Sequence, residues 1–189
     1  MVQGTASRTG YGADVDLRLL VVRAQAGDRG ALEELYLLHF NRVYGYLYVT
    51  VGNQQDAEDL TTQTFLRMLE SIGRFRWRSA PFSAWLLRIA HNLAVDHFRA
   101  RWRTQPEPDL SEREEESSVE AGALGSVAQF GMLELIDRLS PEQRQVLTLK
   151  FVFGFGNAEA AGILGKSEGA VKSLQHRALS SLERQLARS

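Results

Sequence analysis

The stretch Asn157–Leu186, "NAEAAGILGKSEGAVKSLQHRALSSLERQL", decides the fold. It reads as a short helix, a turn at Gly165–Lys166, a Ser N-cap at Ser167 and a longer helix. Two helices joined this way form a helix-turn-helix, whose second helix lies in a DNA major groove with its first residues nearest the bases. Ser167, Glu168, Lys172, Ser173, His176 and Arg177 are the candidate contacts. Ala170, Val171, Leu174 and Ala178 include the positions that pack inward. A plain helical hairpin has the same local pattern, so the motif alone leaves both readings open.

Upstream lies the sharpest helix start in the chain, "SPEQRQVL". Ser140 is the N-cap, Pro141 sits at the first helical position and Gln143 completes a capping box. "MLELIDRL" before it puts Leu133, Ile136 and Leu139 on one face. Gly154 and Gly156 break the chain ahead of the short helix, whose small, Gly-rich sequence predicts weak intrinsic stability.

The segment 104–129 has a different character. Residues 104–125 hold seven acids, one base and two prolines with few large apolar groups, which reads as a flexible acidic linker. Before it, helical periodicity returns. Leu17, Leu20, Val21 and Ala24 form one stripe; Leu32, Leu35, Tyr36, Phe40, Val43, Tyr44 and Leu47 form the next, capped by Asp28. A third helix carries Leu60, Thr64 or Phe65, and Met68, and ends at Gly73. "RFRWRSAP" reads as irregular because Pro81 disfavours helix before it, and helix resumes over "FSAWLLRIAHNLAVDHFRARW". The expectation is an all-α protein with a tail over 1–13, a helical domain over 14–103, the linker over 104–129 and a second helical domain over 130–187.

Net charge is −1, but the blocks differ. Residues 71–103 carry seven arginines and one acid, interleaved with six large aromatics. Separated DNA strands present phosphates and unstacked bases together, which suits cations and flat rings in alternation. Arg74, Arg76, Trp77 and Arg78 fall in the irregular segment. Arg88, Asn92, Asp96, Arg99 and Arg103 follow at steps of four, four, three and four, on one helical stripe that suits base edges and phosphates. Leu86, Ile89, Ala90 and Leu93 form the buried side. Phe82, Trp85 and Phe98 fit the core better than a base platform, whereas Trp77 between arginines tilts toward DNA. Asp96 reads as a partner that orients an arginine.

The acidic cluster "DAEDL" at Asp56–Leu60 has three readings: a carboxylate metal or acid–base site, a helix N-terminus complementing its dipole, or a docking face for a basic partner. No His or phosphate-binding Gly loop accompanies it, so catalysis is the least supported. The absence of cysteine excludes disulfides and thiolate chemistry, and His91 and His97 lack ligand partners in sequence. No metal site, cofactor or enzymatic activity is expected. There is no signal peptide and no span long enough for a bilayer, so a cytoplasmic protein without membrane insertion is expected.

These blocks, in this order, resemble the extracytoplasmic-function (ECF) sigma factors of bacterial RNA polymerase: "LYLLHFNRVYGYL", "DAEDLTTQTFLRML", "RFRWRSAPFSAWLLRIAHNLAVDHFRAR", an acidic spacer, then "LIDRLSPEQRQVLTLKFVFGFGNAEAAGILGKSEGAVKSLQHRALSSL". The resemblance covers residues 14–187. It implies that the first domain is sigma region two and the second sigma region four. Asp56, Glu58, Asp59, Leu60, Gln63 and Phe65 match the segment that docks on the β′ clamp of core polymerase. Arg74 to Trp85 match the melting segment, and Arg88 to Arg103 the helix that recognises the minus-ten element. Ser167 to Arg177 match the minus-thirty-five recognition helix, with the "LSPEQRQVL" helix packed behind it toward the β flap. Core polymerase, promoter DNA and an anti-sigma factor are the implied partners. Where family members often carry further basic residues, this chain has Leu174, Leu179 and Ser180, which implies thinner phosphate contact in region four. A stand-alone helix-turn-helix regulator is the alternative, but it leaves the Arg–aromatic segment and "DAEDL" unexplained. A magnesium-dependent nucleic-acid enzyme using Asp56, Glu58 and Asp59 is the second.

Overall fold

The computed structural model describes residues 9–77, 80–104 and 139–187. These hold seven α-helices and no strand. The first four are α1 (Thr9–Gln25), α2 (Arg29–Val51), α3 (Gln54–Ser71) and α4 (Phe82–Thr104). The second half holds α5 (Pro141–Leu147), α6 (Asn157–Leu164) and α7 (Glu168–Leu186). The expected linker and the face carrying Leu133 and Ile136 lie outside the described residues. Helix α1 begins at Thr9, so residues 9–13, read above as tail, are helical.

Local chemistry sets the boundaries. The Asp28 side chain accepts from the Ala31 N–H at 3.1 Å and starts α2. Gly52 ends it at φ 81°, a left-handed position that costs glycine little. Asn53 caps α3 by accepting from the Asp56 N–H at 2.9 Å. Helix α3 ends at Ser71 rather than at Gly73, which lies inside a 3-10 turn over Ile72–Arg74. Pro81 O accepts from the Ala84 and Trp85 N–H groups and so opens α4.

The capping box at α5 forms as its sequence requires: the Gln143 N–H donates to Ser140 Oγ, and the Ser140 N–H donates to Gln143 Oε1. Beyond α5 the chain widens into a π-helical turn over Thr148–Val152. That turn leaves Phe151 and Val152 exposed, with Phe153 half-buried and Phe155 buried. The Gly156 N–H donates to Glu159 Oε2 at 2.7 Å, so the short α6 has half a capping box despite its glycines.

In the first half, α2 packs on α1, α3 and α4. Val21, Leu35, Tyr46, Leu47, Met68, Phe82, Leu86 and Leu87 are almost fully buried there. Truncating a ring such as Phe82 to alanine costs on the order of 3–5 kcal/mol in such a core. Tyr36, placed on the inward stripe by periodicity, instead sits at the surface edge with its ring 4.7 Å from Phe65.

In the second half, α7 packs on α5 and α6. The two halves also touch: α6 lies on α4 and α5 on α2. One apolar cluster runs through both, joining Leu35, Tyr46 and Phe82 to Val146, Leu149, Phe155, Ile163 and Val171.

Candidate nucleic-acid interface

Helix α4 presents the polar stripe. Arg88, Asn92, Asp96, Arg99 and Arg103 are all exposed, while Leu86, Ala90 and Ala94 face the core. Ile89 and Leu93 are half-buried beside them. Asp96 Oδ1 lies 3.5 Å from Arg99 Nη1 on the open surface, a pair of little energetic weight. Arg103 Nε donates to the Arg99 carbonyl at 3.2 Å. The last turns add exposed Trp102, which with Val95, Phe98, Arg99 and Arg103 lines a shallow groove.

The segment before α4 is held against the core from one side. The Phe75 ring meets Trp77 edge-on at 5.2 Å, Phe82 edge-on at 5.2 Å and Trp85 at 5.0 Å. Trp85 is therefore half-buried in an aromatic cluster, which explains its place better than a free base platform. Trp77 is half-buried too. The Arg18 guanidinium stands over its ring at 5.2 Å, and its Nε1 is enclosed without a hydrogen-bond partner. Arg74 is exposed; Arg76 is exposed but donates to the Gly73 and Phe75 carbonyls at 2.9 Å. Arg78 lies outside the described residues.

On α3 the six residues grouped by sequence separate. Glu58, Asp59 and Gln63 are exposed. Leu60 and Phe65 are buried, because helical spacing turns them onto α2 and the core; they shape the helix but offer no surface. Asp56 is partly buried and engaged within the chain, accepting from Asn53 Nδ2 at 2.7 Å and lying 3.2 Å from His97 Nε2 on α4. Steps of four, three and three put Asp59, Gln63, Leu66 and Leu69 on one exposed flank. Leu66 and Leu69, with Leu37 and Leu38 on α2, are exposed apolar groups that the sequence reading missed. The signal was the run "LYLLHF", which holds more large apolar residues than one helical stripe can bury. No group of His, Asp and Glu among the described residues is arranged to hold a metal ion.

In the second half, the Ser167 Oγ accepts from the Ala170 N–H at 3.2 Å, and Gly165 turns at φ 61°. Ser167, Glu168, Lys172, Ser173, His176 and Arg177 are all exposed on α7, while Val171, Leu174 and Ala178 are buried. Leu174 thus faces inward with Val171 and Ala178 rather than out from the exposed side of α7. No helix among the described residues is long and apolar enough to cross a membrane.

Comparison with known proteins supplies the frame. The model of Sigma-70 region 2 matches residues 35–104, and that of Sigma-70, region 4 matches residues 130–182. The chain is 44% identical to the ECF RNA polymerase sigma factor BldN of Streptomyces coelicolor over 170 residues, covering 88% of this chain and 64% of BldN. It is 34% identical to the ECF RNA polymerase sigma factor SigD of Mycobacterium tuberculosis over 174 residues, covering 88% of this chain and 82% of SigD. Among solved structures, the sigma factor RpoE of Bartonella quintana, in complex with the anti-sigma factor NepR, superposes with a TM-score of 0.69 at 26% identity, covering 82% of this chain and 96% of that one. CnrH in complex with the cytosolic domain of CnrY shares the fold, with a TM-score of 0.62 at 22% identity over 91% of this chain and 97% of that one.

Proposed function

Since the chain belongs to the sigma-70 family as an ECF sigma factor, we propose that it binds core RNA polymerase and directs promoter-specific initiation of transcription. The observation that carries this reading is the pairing of two separate exposed helical surfaces, on α4 and α7, with a third face on α2–α3 that suits a protein partner. The factor is not an enzyme; the polymerase performs the chemistry, in the cytoplasm.

Each surface has a distinct part. The flank of Glu58, Asp59, Gln63, Leu66 and Leu69 docks on the clamp of β′, with acids meeting basic groups and leucines burying apolar area. Helix α4 reads the minus-ten element: Asn92 and the arginines offer an amide and guanidinium forks to base edges and phosphates. Arg74, Arg76, Arg78 and Trp77 stabilise the opened strand, where each stacked base contributes roughly 1–3 kcal/mol. Helix α7 reads the minus-thirty-five element through Ser167, Glu168, Lys172, Ser173, His176 and Arg177, with α5 near the β flap.

Neither half offers many phosphate contacts, so neither binds duplex strongly alone; tethering both to one polymerase raises their effective concentration. An anti-sigma factor that covers these faces is the natural negative regulator. RpoE of Bartonella quintana, which shares the fold at 26% identity, is solved with such a partner. The deciding experiment is in-vitro transcription with core polymerase on fragmented genomic DNA, with and without the protein. New, protein-dependent start sites are expected. Binding to a duplex site without polymerase, together with no transcripts and no core binding, would replace this reading with the stand-alone regulator.

A further inference from the structure

Trp77 is held by two different parts of the chain. Phe75 meets its ring edge-on, and the Arg18 guanidinium of α1 stands over it at 5.2 Å. Its Nε1 is enclosed without a partner, so contacts to the ring place it and its one polar atom does not. Arg18 and Gln25 are seven positions apart, two turns along one face of α1, with buried Val21 between them. The Gln25 side-chain amide donates to the Ile72 and Phe75 carbonyls, each at 2.9 Å. Helix α1 therefore grips the segment Ile72–Trp77 twice: Gln25 takes its backbone and Arg18 its last ring. Both residues precede the stretch 35–104 that matches Sigma-70 region 2. Arg18 is exposed and forms no ion pair among the described residues. Its charge stands unneutralised at a ring whose own segment also carries exposed Arg74 and Arg76.

We propose that Arg18 is a further strand-contacting residue, and that α1 positions the opening segment through it and Gln25. The inference rests on the sigma-factor reading and on the melting role given to Trp77. A guanidinium is planar and stacks on an indole as a base does, while the N–H groups at its rim donate to a phosphate. A base stacked against Trp77 brings its own phosphate within reach of a cation that already stands at that ring. A carboxylate partner would anchor Arg18 to the surface equally well and would cancel its charge. Here the partner is a ring, so the side chain is held and the charge stays available. Arg18 thus adds one phosphate contact from outside the Arg-rich stretch.

The test uses the full chain with core polymerase, on a promoter found by the transcription assay above and carrying a fluorescent base analogue in the strand that opens. Arg18→Ala should slow opening by roughly twofold to fivefold, the range of an exposed cation–π contact. It should also reduce the slope of log open-complex formation against log salt by about 0.7, the share of one phosphate on a single strand. Most of the rate loss should vanish on a pre-melted bubble. Arg18→Lys keeps the charge but not the planar fork, so the salt slope should return while the rate recovers only in part. Combined with Trp77→Ala, Arg18→Ala should cost less than it does alone, because the ring that places it is gone. Circular dichroism checks that each variant is folded. Opening at the wild-type rate in Arg18→Ala, or an unchanged salt slope with equal loss on duplex and bubble, would overturn the proposal and leave Arg18 a packing contact. A wild-type chain that starts no transcript with core polymerase would instead overturn the sigma-factor reading, and the strand contact with it.

Discussion

His97 on α4 lies 3.2 Å from Asp56 on α3, and the same carboxylate oxygen accepts from the Asn53 amide at 2.7 Å. The first acid of the "DAEDL" cluster is thus engaged within the chain beside α4, while Asp59, less than one turn further along α3, is exposed at the surface. Asp56→Ala should lower stability by about 1 kcal/mol, a fall of roughly 2–4 °C in Tm, through loss of the cap network and the α3–α4 contact. Asp59→Ala should leave Tm unchanged and weaken core-polymerase binding several-fold. Thermal melts and a binding titration on the two variants separate the roles. Equal loss of polymerase affinity with no change in Tm for either would return Asp56 to the docking surface.

The contacts of Phe75 with Trp77 and Trp85 hold the segment before α4, so removal of Trp77 has a local structural cost and, under the melting role proposed above, a cost on DNA. The double variant Arg76→Ala with Trp77→Ala should slow opening of duplex promoters by roughly 5- to 150-fold, the equivalent of one stacked base. On a template with a pre-melted bubble most of that deficit should vanish. Equal loss on both templates would mean that the pair serves the fold or the docking step rather than strand separation.

Much of this was legible in the chain because the signals are short-range. Asp28, Ser140 with Pro141 and Gln143, and Ser167 each start a helix where their hydrogen bonds reach three residues on. The α4 stripe followed from spacing alone, and all of its polar members are exposed. Periodicity failed where a helix has apolar residues on more than one face. On α2 it assigned Tyr36 inward and passed over Leu37 and Leu38; on α3 it placed Leu60, Phe65 and Met68 inward, as they are, and only the family resemblance grouped Leu60 and Phe65 with exposed Asp59 and Gln63. The contact of Arg42 with Phe153 and Phe155 had no sequence signal, since it joins residues more than a hundred positions apart through two rings and a cation.

Lys172 and Ser173 stand side by side at the exposed start of α7, but they offer different chemistry. Lys172→Ala should weaken binding to all minus-thirty-five sequences alike and reduce the slope of log affinity against log salt by about 1. Ser173→Ala should leave the salt slope unchanged and relax preference at one base position, by roughly 1–3 kcal/mol of lost discrimination if its hydroxyl reads a base edge. Salt titrations of the polymerase holoenzyme on a small promoter library measure both. A salt-slope change from the serine variant, or altered base preference from the lysine variant, would reverse the assignment.

Burial makes stability depend on pH through two histidines. Desolvation, with Arg42 nearby, lowers the His39 pKa to about 4. His91 is lowered as well, first by burial and then by Lys166, and its Nδ1 lies 2.9 Å from the buried Tyr46 hydroxyl. Both rings are neutral in the folded chain and gain a proton readily once unfolded, where the ordinary value is near 6.5. Between about pH 6.5 and pH 4 the unfolded state binds more protons, so stability is full above that window and falls as pH falls through it. For His39 the loss amounts to about 3 kcal/mol by pH 4. His39→Phe should flatten the stability–pH curve below pH 6.5 without altering it above pH 7, whereas His91→Phe should flatten it and also lower stability above pH 7, because Tyr46 loses its partner. Chemical denaturation at half-unit steps from pH 4 to 8 reads the slope directly. A wild-type curve that is flat from pH 6.5 to 4.5 would mean that these histidines reach water in the folded chain.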